Sequence, residues 1–226
     1  MQRETYREFY DFEADQYLVT PEGDPGLVHR RNLVRRLLPR DPGSRVLEVG
    51  CGDGEMTAAV VGADGARVVA LDLSRRRLER TAQRAPGTRL VQSSVYELPF
   101  ADGSFDTVLC TDLLEHLDEP DLAVRELVRV ARSRVLLSVP YSIRIERTLC
   151  PHCRKSYYLY GHQHSFGREG IERLAEQAGA RVLRFEHVIP MFECRRYRWL
   201  PPLKWLLWDH FKDTGTLGAL LAKPGV

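Results

Sequence analysis

Residues 45–54 read RVLEVGCGDG: a β-branched run carrying Glu48, then Gly50, Gly52 and Gly54, with a helical pattern directly behind. A strand ending in such a turn reverses sharply, and its glycines let the backbone approach a ligand lying across the strand ends. Alone, the loop is an ordinary tight turn, and the rest of the chain supplies the context. RVVALDLS (67–74), TRLVQSSV (88–95), FDTVLCT (105–111) and RVLLSVP (134–140) repeat the buried-strand pattern. Between them EMTAAVVGADGA, SRRRLERTAQRA and EPDLAVRELVRVA place apolar residues at helical spacing. This alternation predicts an α/β fold, a parallel sheet with helices on both faces. Two more strands are expected at 180–189 and 217–223, the first after a helix, REGIERLAEQAG, that Gly179 stops.

The ligand class follows from the acids. Asp72 ends the second strand, where a carboxylate accepts hydrogen bonds from both hydroxyls of a ribose. A dinucleotide loop reads G-x-G-x-x-G, with pyrophosphate on the helix N-terminus. Here the third glycine, Gly54, comes one residue early and Glu55 stands at the helix mouth, where a carboxylate repels pyrophosphate. Acids on both sides suit a nucleoside with an ammonium or sulfonium centre, and disfavour NAD.

VLEVGCGDG, ALDLS and LVQSSVYELPFADGSFDTVLCTDLLEHL, in that order over about residues 45–140, resemble the class I S-adenosylmethionine-dependent methyltransferases of the type 11 subgroup. The resemblance implies a Rossmann-like seven-stranded sheet with an antiparallel last strand and S-adenosylmethionine over the strand C-termini. The seven strand candidates fit that count. It further implies that Glu48 and the backbone of Gly50, Cys51 and Gly52 face the methionine end, that Asp72 holds the ribose, and that Leu73 packs on adenine. The family's adenine-binding acid aligns with Ser94, a departure that leaves one hydrogen bond, with Val95 adding backbone contacts. Cys110 and Thr111 are expected to line the cofactor by backbone. Taken singly, Glu48 also reads as a strand-end charge, Asp72 as a helix N-cap, and Cys51 and Cys110 as packing residues rather than nucleophiles.

After the fifth strand comes TLCPHCRKSYYLYGHQHSF. The Cys150-x2-Cys153 spacing lets two thiolates reach one tetrahedral metal, and His162 and His164 would close a structural Zn2+ site steadying a loop on the substrate side. His152 and Cys194 are substitute ligands, His164 also reads as a residue of the substrate pocket, and the thiols also read as a redox pair.

Methyl transfer is an in-line attack, so catalysis is mostly alignment and exclusion of water, and an oxygen acceptor also needs a base. His116, in LEHL after the fourth strand, is the candidate base or else orders the loop. Tyr141 and His164 are reserves. Tyr6, Tyr10 and Tyr17 lie on an N-terminal helix that, by resemblance, folds over the cofactor. Tyr10 and Tyr17 are therefore candidate substrate contacts, with helix packing the competing reading. The segment WLPPLKWLLWDHF, with Trp199, Trp205, Trp208 and Phe211, is expected to bury a face on the sheet or make a homodimer contact, with a hydrophobic acceptor pocket the competing reading; Lys204 and Lys212 are too few for a lipid-binding helix.

The expected organisation is one domain over 1–226: a helical lid (1–44), a cofactor-binding core (45–142), a Cys/His insertion (143–170) and a C-terminal part (171–226). A composition of 43% hydrophobic and 28% charged residues is that of an ordinary globular chain. A net charge of +2 gives no general polyanion surface, so no nucleic-acid partner is expected. No apolar run approaches the roughly 20 residues of a transmembrane span, and the N-terminus lacks the apolar run of a signal peptide. Five unevenly spaced cysteines fit a reducing, cytoplasmic home. Together these readings predict methyl transfer from S-adenosylmethionine to an oxygen or nitrogen of a small-molecule acceptor. The Arg-heavy basic complement points to a GC-rich bacterial genome and a sugar or natural-product intermediate. The alternatives are an RNA or protein methyltransferase, or a non-catalytic S-adenosylmethionine-binding scaffold.

Overall fold

The computed structural model describes residues 3–16, 25–39, 43–61, 67–188 and 215–224. Tyr17, Cys194 and the aromatic segment from Trp199 to Phe211 lie outside them.

Five strands, β1 (Arg45–Val49), β2 (Arg67–Asp72), β3 (Arg89–Gln92), β4 (Phe105–Thr111) and β5 (Ala131–Pro140), run parallel, with β1 between β2 and β4. A small hairpin, β6 (Arg147–Leu149) and β7 (Ser156–Tyr158), follows. The sheet is completed by β8 (Arg181–Val188) and β9 (Thr216–Ala222) in the order β3-β2-β1-β4-β5-β9-β8. β9 is antiparallel to both neighbours, so the sheet is seven-stranded with its last strand reversed, as the resemblance implies. Two details differ from the sequence reading. β5 begins at Ala131, directly out of the preceding helix, and the Cys/His insertion forms a hairpin rather than a loop.

Alternation along the strands explains why both faces are covered. Leu47, Val108, Val135 and Leu137 point to one side, where α5 (Pro120–Val130) and α6 (Arg168–Gln177) bury Leu127 and Ile171. Their neighbours Val46, Leu109 and Leu136 point to the other, against α2 (Pro25–Leu37) and α3 (Glu55–Val61) through Leu33, Leu37 and Met56. Full burial of each such leucine contributes roughly 1.5–3 kcal/mol. α2 crosses β9 so closely that a Cβ on Gly218 would lie 2.3 Å from Leu37 Cδ1. Two helices remain. α4 (Arg75–Arg84) buries Leu78 beside Ala70, and α1 (Arg3–Gln16) lies against α4.

The long loop after β3 is held by α5. Arg129 donates to Leu98 O at 3.0 Å and Phe100 O at 2.8 Å and pairs with Asp102 at 2.8 Å, while Glu126 accepts from Leu98 N at 3.0 Å. Among the described residues no helix is long and apolar enough to cross a membrane.

Candidate functional site at the strand C-termini

The turn after β1 is built for close approach. Gly50 N and Cys51 N donate to Leu71 O at 2.8 and 3.1 Å, tying the turn to β2. Gly50 has φ +73°, and a Cβ there would lie 2.8 Å from Leu113 Cδ2, so no L side chain fits. Asp72 closes the neighbouring strand, its Oδ2 accepting from Gly52 N and its Oδ1 from Ser74 N, both at 2.9 Å. Burial pushes its carboxyl up, and these two amides pull against that shift. The helix cap itself is Ser74, whose hydroxyl accepts from Arg77 N. Asp72 is thereby left with its carboxylate at the wall of a cavity.

That cavity, of about 260 Å³, lies over the C-terminal ends of β1 to β4. Gly50 and Gly52 form one wall; Asp72 and Leu73 the next; Ser94, Val95 and Tyr96 the third; Asp112, Leu113 and His116 the fourth. α1 closes it with Tyr6 and Tyr10, whose rings stack at 6.4 Å. Tyr6 donates to Asp118 Oδ1 at 2.6 Å, and burial lifts its phenol to about 12. At the cavity wall Glu13 pairs with Arg77 at 2.8 Å; outside it, Asp11 accepts from Ser74 Oγ at 2.6 Å and Arg80 donates to Ala14 O.

A second space of about 210 Å³ lies on the other side of the glycine turn, lined by Glu48, Cys51, Thr111 and Arg30, and shares Gly50, Gly52, Arg77 and Asp112 with the first. Glu48 is buried, accepts from Thr57 Oγ1 at 2.5 Å, and is pushed up to about 8 by loss of solvent. Asp112 holds φ +49°, a costly conformation for a non-glycine residue, stabilised by its N–H to Ser138 O and by Arg30 and Ser138 Oγ on its carboxylate.

The His116 side of the cavity is built by a 3-10 turn, Leu114–His116, and the returning end of the insertion. Gln163 N and His164 N both donate to Glu115 O, at 2.8 and 3.3 Å, and Gln163 Nε2 donates to His116 O at 2.9 Å. His116 is driven down to about 4 by burial and by His162, whose ring centroid lies 4.9 Å away. Glu115 is buried beside Asp112, and both effects raise its carboxyl.

Of the residues expected from sequence, Gly50, Gly52, Asp72, Leu73, Ser94, Val95, His116 and Tyr10 line the main cavity, and Glu48, Cys51 and Thr111 the smaller space. Ser94 Oγ accepts from Tyr96 N at 3.3 Å. Cys110 is fully buried in the core and lines neither space. Tyr141 also stands off both walls, its ring 4.4 Å from that of His187, and His164 stacks on Phe166 at 5.9 Å.

The Cys2His2 set is not brought together among the described residues. Among the described residues, no three of Cys150, Cys153, His162 and His164 bring ligand atoms within 4.8 Å of one another. The thiols sit at the hairpin tip, where Cys150 N–H bonds Lys155 O and Arg154 N–H bonds Cys150 O, while the hydrogen bonds to Glu115 O draw the histidine stretch back to the 3-10 turn. Sequence reasoning missed Glu115, Asp112, Tyr96 and Arg77. Asp112 and Glu115 stand inside the CTDLLEHL stretch already singled out, whereas Arg77 is one of three arginines in SRRR with no local mark.

The strands and turns that carry these walls can be compared with known proteins. Residues 47–139 match the methyltransferase domain family. The chain is 37% identical over 125 residues to a demethylmenaquinone methyltransferase of Renibacterium salmoninarum, covering 54% of this chain and 52% of that one. It is 35% identical over 111 residues to a probable S-adenosylmethionine-dependent methyltransferase of Mycobacterium tuberculosis, covering 49% and 40%. The chain therefore spans only about half of these relatives' length. An S-adenosylmethionine-dependent methyltransferase structure from Mesorhizobium loti shares the fold, with a TM-score of 0.67 at 16% identity over 88% of this chain and 100% of that one.

Proposed function

We propose that the chain binds S-adenosylmethionine in the main cavity and transfers its methyl group to an oxygen or nitrogen of a small-molecule acceptor. The observation that carries this reading is Asp72, a buried carboxylate held by two backbone amides at the wall of a cavity that the glycine turn also lines. Asp72 takes the ribose hydroxyls, Leu73 and Val95 flank the adenine, and Ser94 offers the base one hydrogen bond. The methionine end crosses Gly50 and Gly52 towards the smaller space, where Glu48 meets its ammonium. Bound there, S-adenosylmethionine supplies an electrophilic methyl group on sulfonium.

The chain's own residues then align and enclose. Tyr6 and Tyr10 on α1 cover the cavity as a lid and keep water from the reacting centre. The acceptor enters between α1 and the 3-10 turn, where His116, neutral at physiological pH because burial lowers it, faces the cavity. We read lid, core and insertion as one domain. The relatives named above act on small molecules or carry the same donor in their names, which supports a small-molecule acceptor here.

Titration calorimetry with S-adenosylmethionine tests the binding half of the reading: saturable binding is expected, and none in folded protein would overturn it. Radiolabelled methyl donor incubated with a fractionated bacterial extract tests the other half. Label is expected in the small-molecule fraction, and label confined to RNA or protein would replace the acceptor class.

A further inference from the structure

We propose that Glu115, His116 and His162 form a site for one divalent transition-metal ion, open towards the acceptor side of the main cavity. The donor atoms of the three lie within 4.8 Å of one another, and His116 Nε2 is 3.9 Å from Glu115 Oε1. Metal–ligand bonds of about 2.0–2.2 Å place tetrahedral donors about 3.4 Å apart, so the His116–Glu115 pair has to close by about half an ångström and no pair in the cluster by more than about 1.4 Å.

A second, independent observation points to a ligand. The Glu115 side chain is 1% exposed, yet neither of its carboxylate oxygens has a hydrogen-bond partner among the described residues. Buried polar groups are almost always paired, and an orphaned carboxylate facing two imidazoles is what a site lacking its ion looks like. The histidine environment agrees. The His116 ring turns Nδ1 to the Gly161 backbone, where a Cβ would lie 3.2 Å from it, and this leaves Nε2 turned to Glu115. Metal-binding imidazoles are characteristically fixed in this way through their other nitrogen. The clamp from Gln163 and His164 onto the 3-10 turn sets His162 beside them. Asp112, close enough to act on all three groups, adds negative charge, while Arg30 opposes it from its pair with Asp112 at 2.9 Å.

Two imidazoles and one carboxylate suit zinc, iron, cobalt or nickel rather than calcium or magnesium. Three protein ligands leave a position open, and His116 places it at the cavity wall. Its use rests on the methyl-transfer reading. The ion binds a hydroxyl acceptor and lowers its pKa, and the proton leaves to solvent. An oxygen lone pair then forms the bond to the methyl carbon as the carbon–sulfur bond breaks, and that electron pair stays on sulfur, now a neutral thioether. The acceptor class is therefore an alcohol or phenol rather than an amine.

The test uses full-length protein stripped with a chelator and titrated with Co2+, followed by visible absorption and elemental analysis after dialysis. One ion per chain is expected, with ligand-field bands and no thiolate charge-transfer band. Glu115→Gln and His162→Ala should each weaken binding at least about tenfold, while Cys150→Ser with Cys153→Ser should leave it unchanged. His162 is half-exposed, so its variant remains informative where Glu115→Gln fails to fold. No bound ion, or one lost with the cysteines and showing a thiolate band, would overturn the site. Calorimetry of S-adenosylmethionine on the stripped and loaded wild type separates this outcome from failure of the donor assignment.

Discussion

The two ends of the site are built in opposite ways. On the proposed reading the donor end is made by consecutive turns at strand C-termini, each carrying its own short instruction: Gly50 and Gly52 after β1, Asp72 after β2, Ser94 and Val95 after β3. The acceptor end is made where a 3-10 turn meets a segment nearly fifty positions further on, joined by hydrogen bonds to Glu115 O and His116 O. The first end is local and rests on backbone geometry. The second is assembled by docking, and so depends on the insertion staying in place.

The sharpest way to break the donor end is Gly50→Val. It forces a β-branched residue into φ +73° and its Cβ into Leu113. Strain of about 1–3 kcal/mol and at least a hundredfold loss of S-adenosylmethionine affinity are expected, read by thermal melting and calorimetry. Asp72→Asn is expected to cost less, roughly tenfold to a hundredfold in affinity, because it keeps the shape but loses charge-assisted acceptance from Gly52 N, Ser74 N and the ribose.

Glu48 gives the comparison a pH axis. Burial and the negative charge of Asp72 raise its folded-state pKa to about 8 against the ordinary 4.5 of a solvated glutamate, and the bond from Thr57 only partly offsets them. A raised folded pKa means that the folded chain holds the proton more tightly. The stabilisation is complete below pH 4.5 and is lost as pH rises through about 8. Urea melts at pH 5 and pH 8.5 should show a fall that Glu48→Gln removes.

At the smaller end of the scale, Asp11→Ala takes two hydrogen bonds from α1 and should cost about 1 kcal/mol, with S-adenosylmethionine affinity reduced only a few-fold. Least of all, Cys150→Ser should change donor affinity less than about twofold, because the hairpin tip touches neither space. That exchange is the cleanest check that the two ends are separable.

This contrast also explains what is legible in the sequence. Strand and helix placement follow from apolar periodicity, while the reversed last strand and most of the donor walls follow from the family resemblance, carried by motifs no longer than a turn. Spacing from Cys150 and Cys153 marks His162 as their fellow metal ligand, yet the structure sets it beside Glu115 and His116. The spacing rule assumes that the loop folds on itself; the two hydrogen bonds to Glu115 O, invisible in a linear pattern, draw the histidines the other way. Glu115 escapes notice because an acid in LEHL reads as a surface charge until its burial is seen. Arg77 is recognisable as a wall only through Glu13 and Asp53, its partners from two other elements.

Ser74 has one more consequence. Its hydroxyl accepts from Arg77 N as the cap of α4 and donates to Asp11 on α1, so the cover over the cavity is latched to the first turn of the helix behind Asp72. Lifting α1 away from α4 therefore means breaking that bond. A serine and an aspartate that line neither space thus help to hold Tyr6 and Tyr10 over the cavity.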